Sequence, residues 1–345
     1  MARRRGSRVP FVIVVLLASV AAVVLNTPSR RGRSFARVTI PPGATIATAA
    51  DSLARVGLVR SALVLRAVAG VSGRGGESIV PGRYMIPRGA SHDALLTQLH
   101  EGRGRYRRIT IPEGWGILQI ARVLRDSLAI PEDSLRAATR DSARRLRMQT
   151  SASDVEGYLF PATYEFADGI TAAGVVDTML LTFGRRWKPA WDTAIAAQGR
   201  TRHEVVTLAS IVEKEAVRAD ERVRIASVYL NRLRTGMRLQ ADPTVLYAMG
   251  LTAKRVLFAD LSVDSPYNTY RVAGLPPGPI ASPGTASLAA AVTAGPTDEL
   301  FFVSFPDGHS EFTRSFAAHT AAVGRMRAAR RAGTATTPSA ASTLP

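Results

Sequence analysis

The chain has 345 residues, of which 46% are hydrophobic, and this predicts about two domains with ample apolar material for their cores. It contains no cysteine, which excludes disulfides, thiolate zinc sites and a lipoprotein anchor. The formal net charge is +18, and nearly all of the positive charge is carried by scattered arginines. A nucleic-acid-binding surface would predict basic residues in one stripe with aromatics, so we expect no nucleic-acid partner. A basic surface facing an anionic polymer or lipid headgroups stays open.

The N-terminus predicts a membrane anchor. Residues 1–8 are rich in arginine, and residues 9–25 are uncharged and almost wholly apolar. This run is at the short end of the roughly 17–25 residues that span a bilayer, and the preceding arginines favour a cytoplasmic N-terminus. Small residues at 18–22 leave a cleaved signal peptide as the alternative. We expect a retained, single-pass anchor in the cell (inner) membrane, with the bulk of the chain on the periplasmic or other extracytoplasmic side.

An arginine-rich linker at 26–37 leads into a predicted α+β module at 38–150. Here a short alternating strand, a Pro-x-Gly turn and an amphipathic helix follow one another three times. The strands end near Ile40, Ile86 and Ile111, and this uneven spacing excludes a solenoid. Two interpretations stay open, namely recurring supersecondary structure and a carbohydrate-binding module that resembles LysM.

The composition of the sequence changes at residue 154, where aromatic residues become frequent. Aromatic side chains alternate at period two and predict an extended segment with one aromatic face, formed by Tyr158, Phe160, Tyr164 and Phe166. Such a face either stacks on sugar rings or is buried at a sheet edge. Helices are expected over 170–187 and 191–198.

The stretch from Thr201 to Glu215 predicts a helix with a functional end. Thr201 and Glu204 have the spacing of a capping box. An apolar stripe follows at 205, 208, 211 and 212, and the helical period places Glu215 on that same face. Glu213 points to the far side and is expected to be a surface ion-pair partner.

A carboxyl at the end of an apolar stripe is desolvated, which favours its protonated form and suits a general acid near neutral pH. The structural alternative is a helix-end glutamate that reaches solvent or pairs with an arginine. We predict Glu215 as the catalytic residue.

Further candidates lie at the ends of the next elements. Asp220 can cap a helix that runs to residue 233, residues 237–241 predict a short strand, and Asp242-Pro243 predicts another helix start. Asn231, Gln240 and Asp242 therefore occupy positions where polar groups can converge on a cleft. Asp242 as a mere helix cap is an open alternative.

A loop with five prolines between 266 and 283 carries three more candidates, Tyr267, Asn268 and Tyr270. A loop that is rigid before binding favours recognition of a ligand. The five histidines are dispersed without metal-ligand spacing, so we expect neither a metal site nor another cofactor. Residues 331–345 have the composition of a disordered tail.

With these motifs in hand, the sequence resembles the YceG-like family of endolytic murein transglycosylases. The resemblance rests on EGYLFPATYEF (156–166), ASIVEKEA (209–216), the run at 231–245, the loop at 265–284 and the region of His309 to His319. It implies a lyase that cleaves nascent peptidoglycan strands internally at the MurNAc-GlcNAc linkage, leaves a 1,6-anhydro-MurNAc end and ends strand elongation. The second Glu of the EKE motif, Glu215, is the catalytic position in that family.

The resemblance also sets the expected fold and partners. We expect an α+β protein with an N-terminal transmembrane helix, a small LysM-like module at 38–150 and a mixed α+β catalytic domain at 151–330. Peptidoglycan glycan strands, the membrane and peptidoglycan synthases are the expected partners. Ala162 and Thr320 depart from the family pattern, which has Asp and Asn there.

A single acid suffices for this reaction, because the muramyl 6-hydroxyl is an internal nucleophile and no second carboxylate need activate water. Asp242, Asn268 and Tyr270 are the candidates to stabilise charge at the sugar ring. One alternative is a non-catalytic, membrane-anchored peptidoglycan-binding scaffold. Another is a pyridoxal-phosphate lyase using Lys214, which lies on the opposite side of the helix from the stripe.

Overall fold

The computed structural model describes residues 34–251 and 256–335. The predicted anchor at 9–25 lies outside these residues, as do positions 336–345 of the predicted tail. Within the described ranges no helix has both the length and the apolar character needed to cross a bilayer. Helices and small two-stranded sheets confirm the predicted α+β class.

The chain folds into two compact units, and residues 34–109 and 164–170 form the first. Its elements, in chain order, are β1 (Phe35–Ile40), α1 (Ile46–Arg55), α2 (Ala62–Val71), β2 (Gly82–Pro87) and α3 (His92–Glu101). Strands β1 and β2 pair antiparallel, with Phe35 opposite Pro87 and Ile40 opposite Gly82. Alternate residues of β1 are buried against α1, as the period of two requires.

Strands β3 (Tyr106–Thr110) and β4 (Thr163–Ala167) pair with each other where the chain passes between the units. Tyr164 and Phe166 are buried in β4, whereas Tyr158 and Phe160 are buried ahead of it. The predicted aromatic strand is therefore shorter than the alternation indicated. All four rings are buried, so the aromatic side chains contribute to the core.

The second unit contains residues 110–163 and the described residues after 170. Its helices and strands are α4 (Ile117–Leu128), α5 (Glu132–Thr139), α6 (Ser142–Met148), α7 (Ala172–Arg186), α8 (Pro189–Ala196), α9 (Arg202–Glu215), α10 (Arg222–Arg234), α11 (Asp242–Ala248), α12 (Thr285–Thr293), β5 (Phe301–Ser304), β6 (Ser310–Thr313) and α13 (Phe316–Ala335). Short 3-10 turns occupy 219–221 and 258–262. The units differ in extent from the predicted modules at 38–150 and 151–330, whose bounds stay predictions.

Helix α9 is the central helix of the second unit and packs against α8, α10, α11 and α12. Every residue from Val205 to Val212 is buried, so the helix is enclosed on all sides and not along one stripe alone. A helix surrounded in this way has its residues positioned by several elements at once. This explains why Val206, on the side opposite the predicted stripe, is also apolar.

Three local predictions were wrong. Asp220 does not cap α10, because it lies in the 3-10 turn before that helix and Glu221 occupies the cap position. Residues 237–241 form no strand, because their backbone groups bond to the loop at 269 and to Arg232 instead. Asp242 is the first residue of α11 and not its cap, since Ala241 occupies the cap position. The Asp242 side chain is consequently free to take part in other contacts.

Candidate active site

Glu215 is the last residue of α9, and the helix begins as the sequence predicts. The hydroxyl of Thr201 accepts from the amide of Glu204 at 3.2 Å, and the Glu204 carboxylate accepts from the Thr201 amide at 2.7 Å. This capping box sets the start of the helix, and the buried run up to Val212 sets its orientation. Glu215 follows directly and is half-buried, so its carboxyl lies at the edge of the core.

The carboxyl of Glu215 lies in an environment that favours its protonated form. Burial raises its pKa to about 7, and the negative charge of Asp242 acts in the same direction. The hydroxyl of Tyr229 donates to Oε1 at 3.1 Å, and together with the positive charge of Arg232 it opposes the rise. A group that titrates near neutrality can both give and take a proton there.

Arg232 is held rigidly one helical turn beyond Tyr229 on α10. Its Nε donates to the carbonyl of Leu300 at 2.7 Å and its Nη1 to the carbonyl of Leu239 at 2.6 Å. The guanidinium also lies over the ring of Phe301, 5.3 Å from the ring centroid. Its position is therefore fixed by two other segments of chain, at 239 and at 300–301, which makes its charge a constant influence on Glu215.

Asp242 and Tyr270, both predicted site residues, meet in the structure. The hydroxyl of Tyr270 donates to Oδ1 of Asp242 at 2.6 Å. Burial and the neighbouring Asp242 carboxylate raise the pKa of Tyr270 well above its usual value, and Glu215 contributes in the same direction. Glu215, Tyr229, Arg232, Asp242 and Tyr270 thus form one electrostatically connected group, called here the acid centre.

Gln240 lies between two anchored backbone positions beside this centre. Its φ is +49°, in the left-handed region that costs a non-glycine residue about 1–2 kcal/mol. Its amide donates to the carbonyl of Thr269, and the carbonyl of Leu239 before it accepts from Arg232. The side chain is exposed, and strain held in place by neighbours is typical of functional sites.

Asn231 and Asn268 are buried and bind backbone. Asn231 is 1% exposed, and its amide donates to Thr297 and to the carbonyl of Glu299. Asn268 is 0% exposed and donates to the carbonyls of Leu261 and Val263. Both side chains hold loops in position, while their predicted contact with substrate stays a prediction.

Tyr267 lies apart from the acid centre. Its ring packs on Tyr247, with centroids 4.7 Å apart, and burial raises its pKa to about 12. The charges that act on it are those of Asp154 and Glu156, whereas Tyr270 responds to Asp242 and Glu215. The loop that carries both tyrosines therefore connects two polar centres within the second unit.

Within the described residues Glu213 forms no hydrogen bond or ion pair with the acid centre, in keeping with its predicted position on another face of α9. The prediction that it lies at the surface was wrong. Its Oε2 accepts from the amide of Gly284 at 3.0 Å, and Arg222 approaches Oε1 at 3.9 Å. The side chain is 7% exposed, so the predicted ion pair exists but is buried. The two glutamates of the EKE sequence thus lie in different surroundings, as their helical positions indicate.

The comparisons with known proteins identify the family. The model of the YceG-like family matches residues 38–325, which covers most of the chain. The chain belongs to the YceG-like family. The described part of the second unit, with the acid centre, lies almost wholly within the matched range.

Relatives of this YceG-like chain carry an enzyme name. A Bacillus subtilis (strain 168) protein named endolytic murein transglycosylase is 32% identical over 314 residues, which is 87% of either chain. A protein of that name from Streptococcus pneumoniae serotype 2 (strain D39 / NCTC 7466) is 29% identical over 79% of this chain and 54% of its own length. The chain thus spans about half the length of the pneumococcal relative.

A solved structure shares the fold of the YceG-like chain. The crystal structure of a yceG-like protein from Listeria monocytogenes superposes with a TM-score of 0.58 at 29% sequence identity. The match covers 84% of this chain and 99% of the other. The similarity therefore extends over both units and is not confined to the helices around Glu215.

Sequence reasoning missed three polar residues of this YceG-like chain, Tyr229, Arg232 and Glu156. Tyr229 and Arg232 continue the buried face of α10 that begins at Ile225, so an arginine on an apolar stripe was the available signal. Glu156 lay inside a quoted motif, but nothing local indicated that its carboxyl would be buried. Its burial depends on α4 and on the loop at 280, which are distant in sequence.

Proposed function

We propose that this protein is an endolytic murein transglycosylase, a lyase that cleaves the MurNAc-GlcNAc linkage of peptidoglycan glycan strands with Glu215 as its acid. The relatives that carry this name support the activity. The observation that carries the residue assignment is the carboxyl of Glu215 at the end of a buried helix, with a pKa raised to about 7. A carboxylic acid that holds its proton at neutral pH can protonate a leaving group.

The chemistry requires one residue to act twice. Glu215 donates its proton to the glycosidic oxygen as the bond from that oxygen to C1 of MurNAc breaks. The carboxylate then accepts the proton of the muramyl 6-hydroxyl as the oxygen of that hydroxyl bonds to C1. The products are a new GlcNAc 4-hydroxyl and a 1,6-anhydro-MurNAc end, and no water is consumed.

The surroundings of Glu215 fit both halves of this cycle. Burial and Asp242 favour the acid before bond cleavage, while Tyr229 and Arg232 stabilise the carboxylate that remains afterwards. The exposed carboxylate of Asp242, held by Tyr270, is available to oppose positive charge at the sugar ring. Gln240, whose side chain is exposed beside Asp242, is available to contact the glycan.

The proposal includes the placement of the enzyme. The apolar run at 9–25 anchors the chain in the membrane, and the remainder faces nascent peptidoglycan, where synthases are the partners that supply strands. The first unit is a LysM-like glycan-binding module. The LysM-like assignment is supported by the order strand, helix, helix, strand over residues 35–87, in which the two strands pair antiparallel.

The experiment is product analysis with a matched pair of variants. Full-length protein is incubated with uncrosslinked glycan strands, and the ends are identified by mass spectrometry. The wild type releases anhydro-ended fragments, whereas Glu215→Gln loses at least about 100-fold in rate, the usual contribution of a general acid. Glu213→Gln keeps most of the activity, since an amide oxygen can still accept from Gly284.

An active Glu215→Gln together with an inactive Glu213→Gln reverses the assignment. Binding of glycan by the wild type without any new ends identifies the protein as a scaffold. Fragments that end in reducing MurNAc identify hydrolysis in place of the internal attack.

A further inference from the structure

The second unit contains a cavity of about 320 Å³ that the proposed chemistry does not use. Apolar side chains from α4, α11 and the proline-rich loop form part of its wall, among them Ile117, Leu246 and Ile280. Two carboxyl groups, those of Asp154 and Glu156, lie on the wall as well. A cavity of this size with a few convergent polar groups is typical of a site for a small organic group.

Glu156 is built into this wall. The residue is 4% exposed, and the amide of Ile117 donates to its two oxygens at 3.1 and 3.0 Å. Asp154 accepts from the amide of Glu156 at 3.0 Å and is itself half-buried. The carboxyl groups are therefore fixed in place before any ligand arrives.

Three cationic side chains also line the cavity. Arg136 lies on α5 and Arg140 directly follows the last residue of that helix; both are exposed, and within the described chain neither guanidinium pairs with an acidic side chain. Lys214 donates to the carbonyl of Gly114 at 3.3 Å and retains further N–H groups for a ligand. The combination of guanidinium and ammonium groups favours an anion with carboxylate or phosphate groups.

The cavity is lined by chain neighbours of two residues of the acid centre. Pro243, which follows Asp242 at the start of α11, lines it, as does Lys214, which precedes Glu215 although its side chain points to the other side of α9; Tyr247 lines it further along α11. At 1.5 Å per residue, Asp242 and Tyr247 are separated by about 8 Å along the helix axis. The cavity is therefore close enough to the acid centre for a side branch of a bound glycan to reach it.

We propose that this cavity binds the peptide stem of the muramyl residue whose linkage is cleaved. A stem peptide carries carboxylates for Arg136, Arg140 and Lys214, and it carries amide or amine N–H groups for Asp154. Its apolar side chains fit the wall near Leu246 and Ile280. The proposal rests on the proposed function, and it adds peptide-bearing strands as the preferred substrate class.

The experiment compares two substrates with the full-length protein. One is uncrosslinked glycan with intact stems, and the other is the same glycan after an amidase has removed them. The wild type is expected to cleave the stem-bearing strands with a kcat/KM about tenfold higher, a modest value for charge-assisted hydrogen bonds. The double variant Arg136→Ala/Arg140→Ala is expected to lose this preference and to cleave denuded strands at the wild-type rate.

A matched control keeps the net charge equal. Arg122 and Arg185 are exposed arginines of α4 and α7 that do not line the cavity. The double variant Arg122→Ala/Arg185→Ala is expected to retain the tenfold preference. A loss of preference in this control would show a general effect of charge and would overturn the proposal.

Binding is measured separately from cleavage. In the Glu215→Gln background, the stem peptide released by the amidase is titrated by calorimetry, and removal of Arg136 and Arg140 is expected to weaken its binding at least tenfold. Inorganic pyrophosphate is titrated in parallel, and its binding in place of the stem would identify a phosphate site and overturn the proposal.

Failure of the proposed stem site and failure of the proposed function give different results. Equal cleavage of both substrates by the wild type, or equal losses on both in the cavity variant, overturns the stem site and leaves the proposed function intact. Absence of cleavage on either substrate, with stem binding retained, overturns the proposed function instead.

Discussion

The hydroxyl of Tyr229 on α10 donates a hydrogen bond to Oε1 of Glu215 on α9 at 3.1 Å. The two residues are fourteen positions apart, and their contact joins the last residue of α9 to the middle of α10, which packs against it. Since a donor stabilises the ionised form of a carboxyl, Tyr229 limits how far burial can raise the pKa of Glu215. The protonation of the acid is thus a balance between opposing neighbours.

This balance predicts opposite pH shifts for two substitutions. Tyr229→Phe removes a group that favours the carboxylate, so the pKa of Glu215 rises and the alkaline limb of kcat/KM moves to higher pH. Asp242→Asn removes a negative charge that favours the acid, so the same limb moves to lower pH. The wild-type limb is expected near pH 7, and pH profiles on glycan strands measure all three. Shifts of both variants in one direction would contradict the assignment of Glu215 as the acid.

Stability is expected to fall with rising pH because of Glu156. Burial raises its pKa to about 8, above an unfolded value near 4.5, so the folded state retains a proton that the unfolded state loses. The contribution of Glu156 to the free energy of unfolding is fully present below pH 4.5 and is lost as pH rises towards 8, at about 1.4 kcal/mol per pKa unit. Glu156→Gln carries no such proton, and its free energy of unfolding should vary less between pH 5 and pH 8. Parallel curves for the two proteins in urea titrations would contradict the burial of an ionisable carboxyl.

Asn231 allows a test of loop positioning against substrate contact. Asn231→Ala leaves the carbonyl of Glu299 and the amide of Thr297 without their partner, and an unsatisfied buried group costs about 1–3 kcal/mol. We expect a lower melting temperature and only a secondary loss of activity. Unchanged melting with a raised KM would instead place Asn231 in contact with glycan. Thermal unfolding and initial-rate kinetics on the same preparations separate the two outcomes.

Gly157 is expected to tolerate no side chain. Its φ is +80°, and an added Cβ would lie 2.3 Å from Cβ of Pro279. Gly157→Ala therefore combines backbone strain of about 1–2 kcal/mol with an overpacking cost of about 1–3 kcal/mol. Gly199 has a φ of +64° with open space at its Cβ position, so Gly199→Ala reports the strain alone. Denaturant midpoints measure the difference, and equal losses would contradict the close approach of Pro279.

Local sequence determined much of this protein. The capping box at Thr201 and the period of the apolar residues were enough to place Glu215 at the end of a helix and to direct Glu213 elsewhere. Caps and helical periodicity are decided within four residues, which is why such features can be read from sequence. The helices at 172–186 and 189–196 were found for the same reason.

The surroundings of the acid were decided by tertiary structure alone. Periodicity gave the face on which Glu215 lies, but it did not give Tyr229 as its donor or the link between Asp242 and Tyr270. It also failed at 237–241, where alternation indicated a strand but the backbone bonds to Arg232 and to the distant Thr269 instead. A pKa depends on burial and charge summed over every segment packed around a group, and only the folded chain brings those segments together.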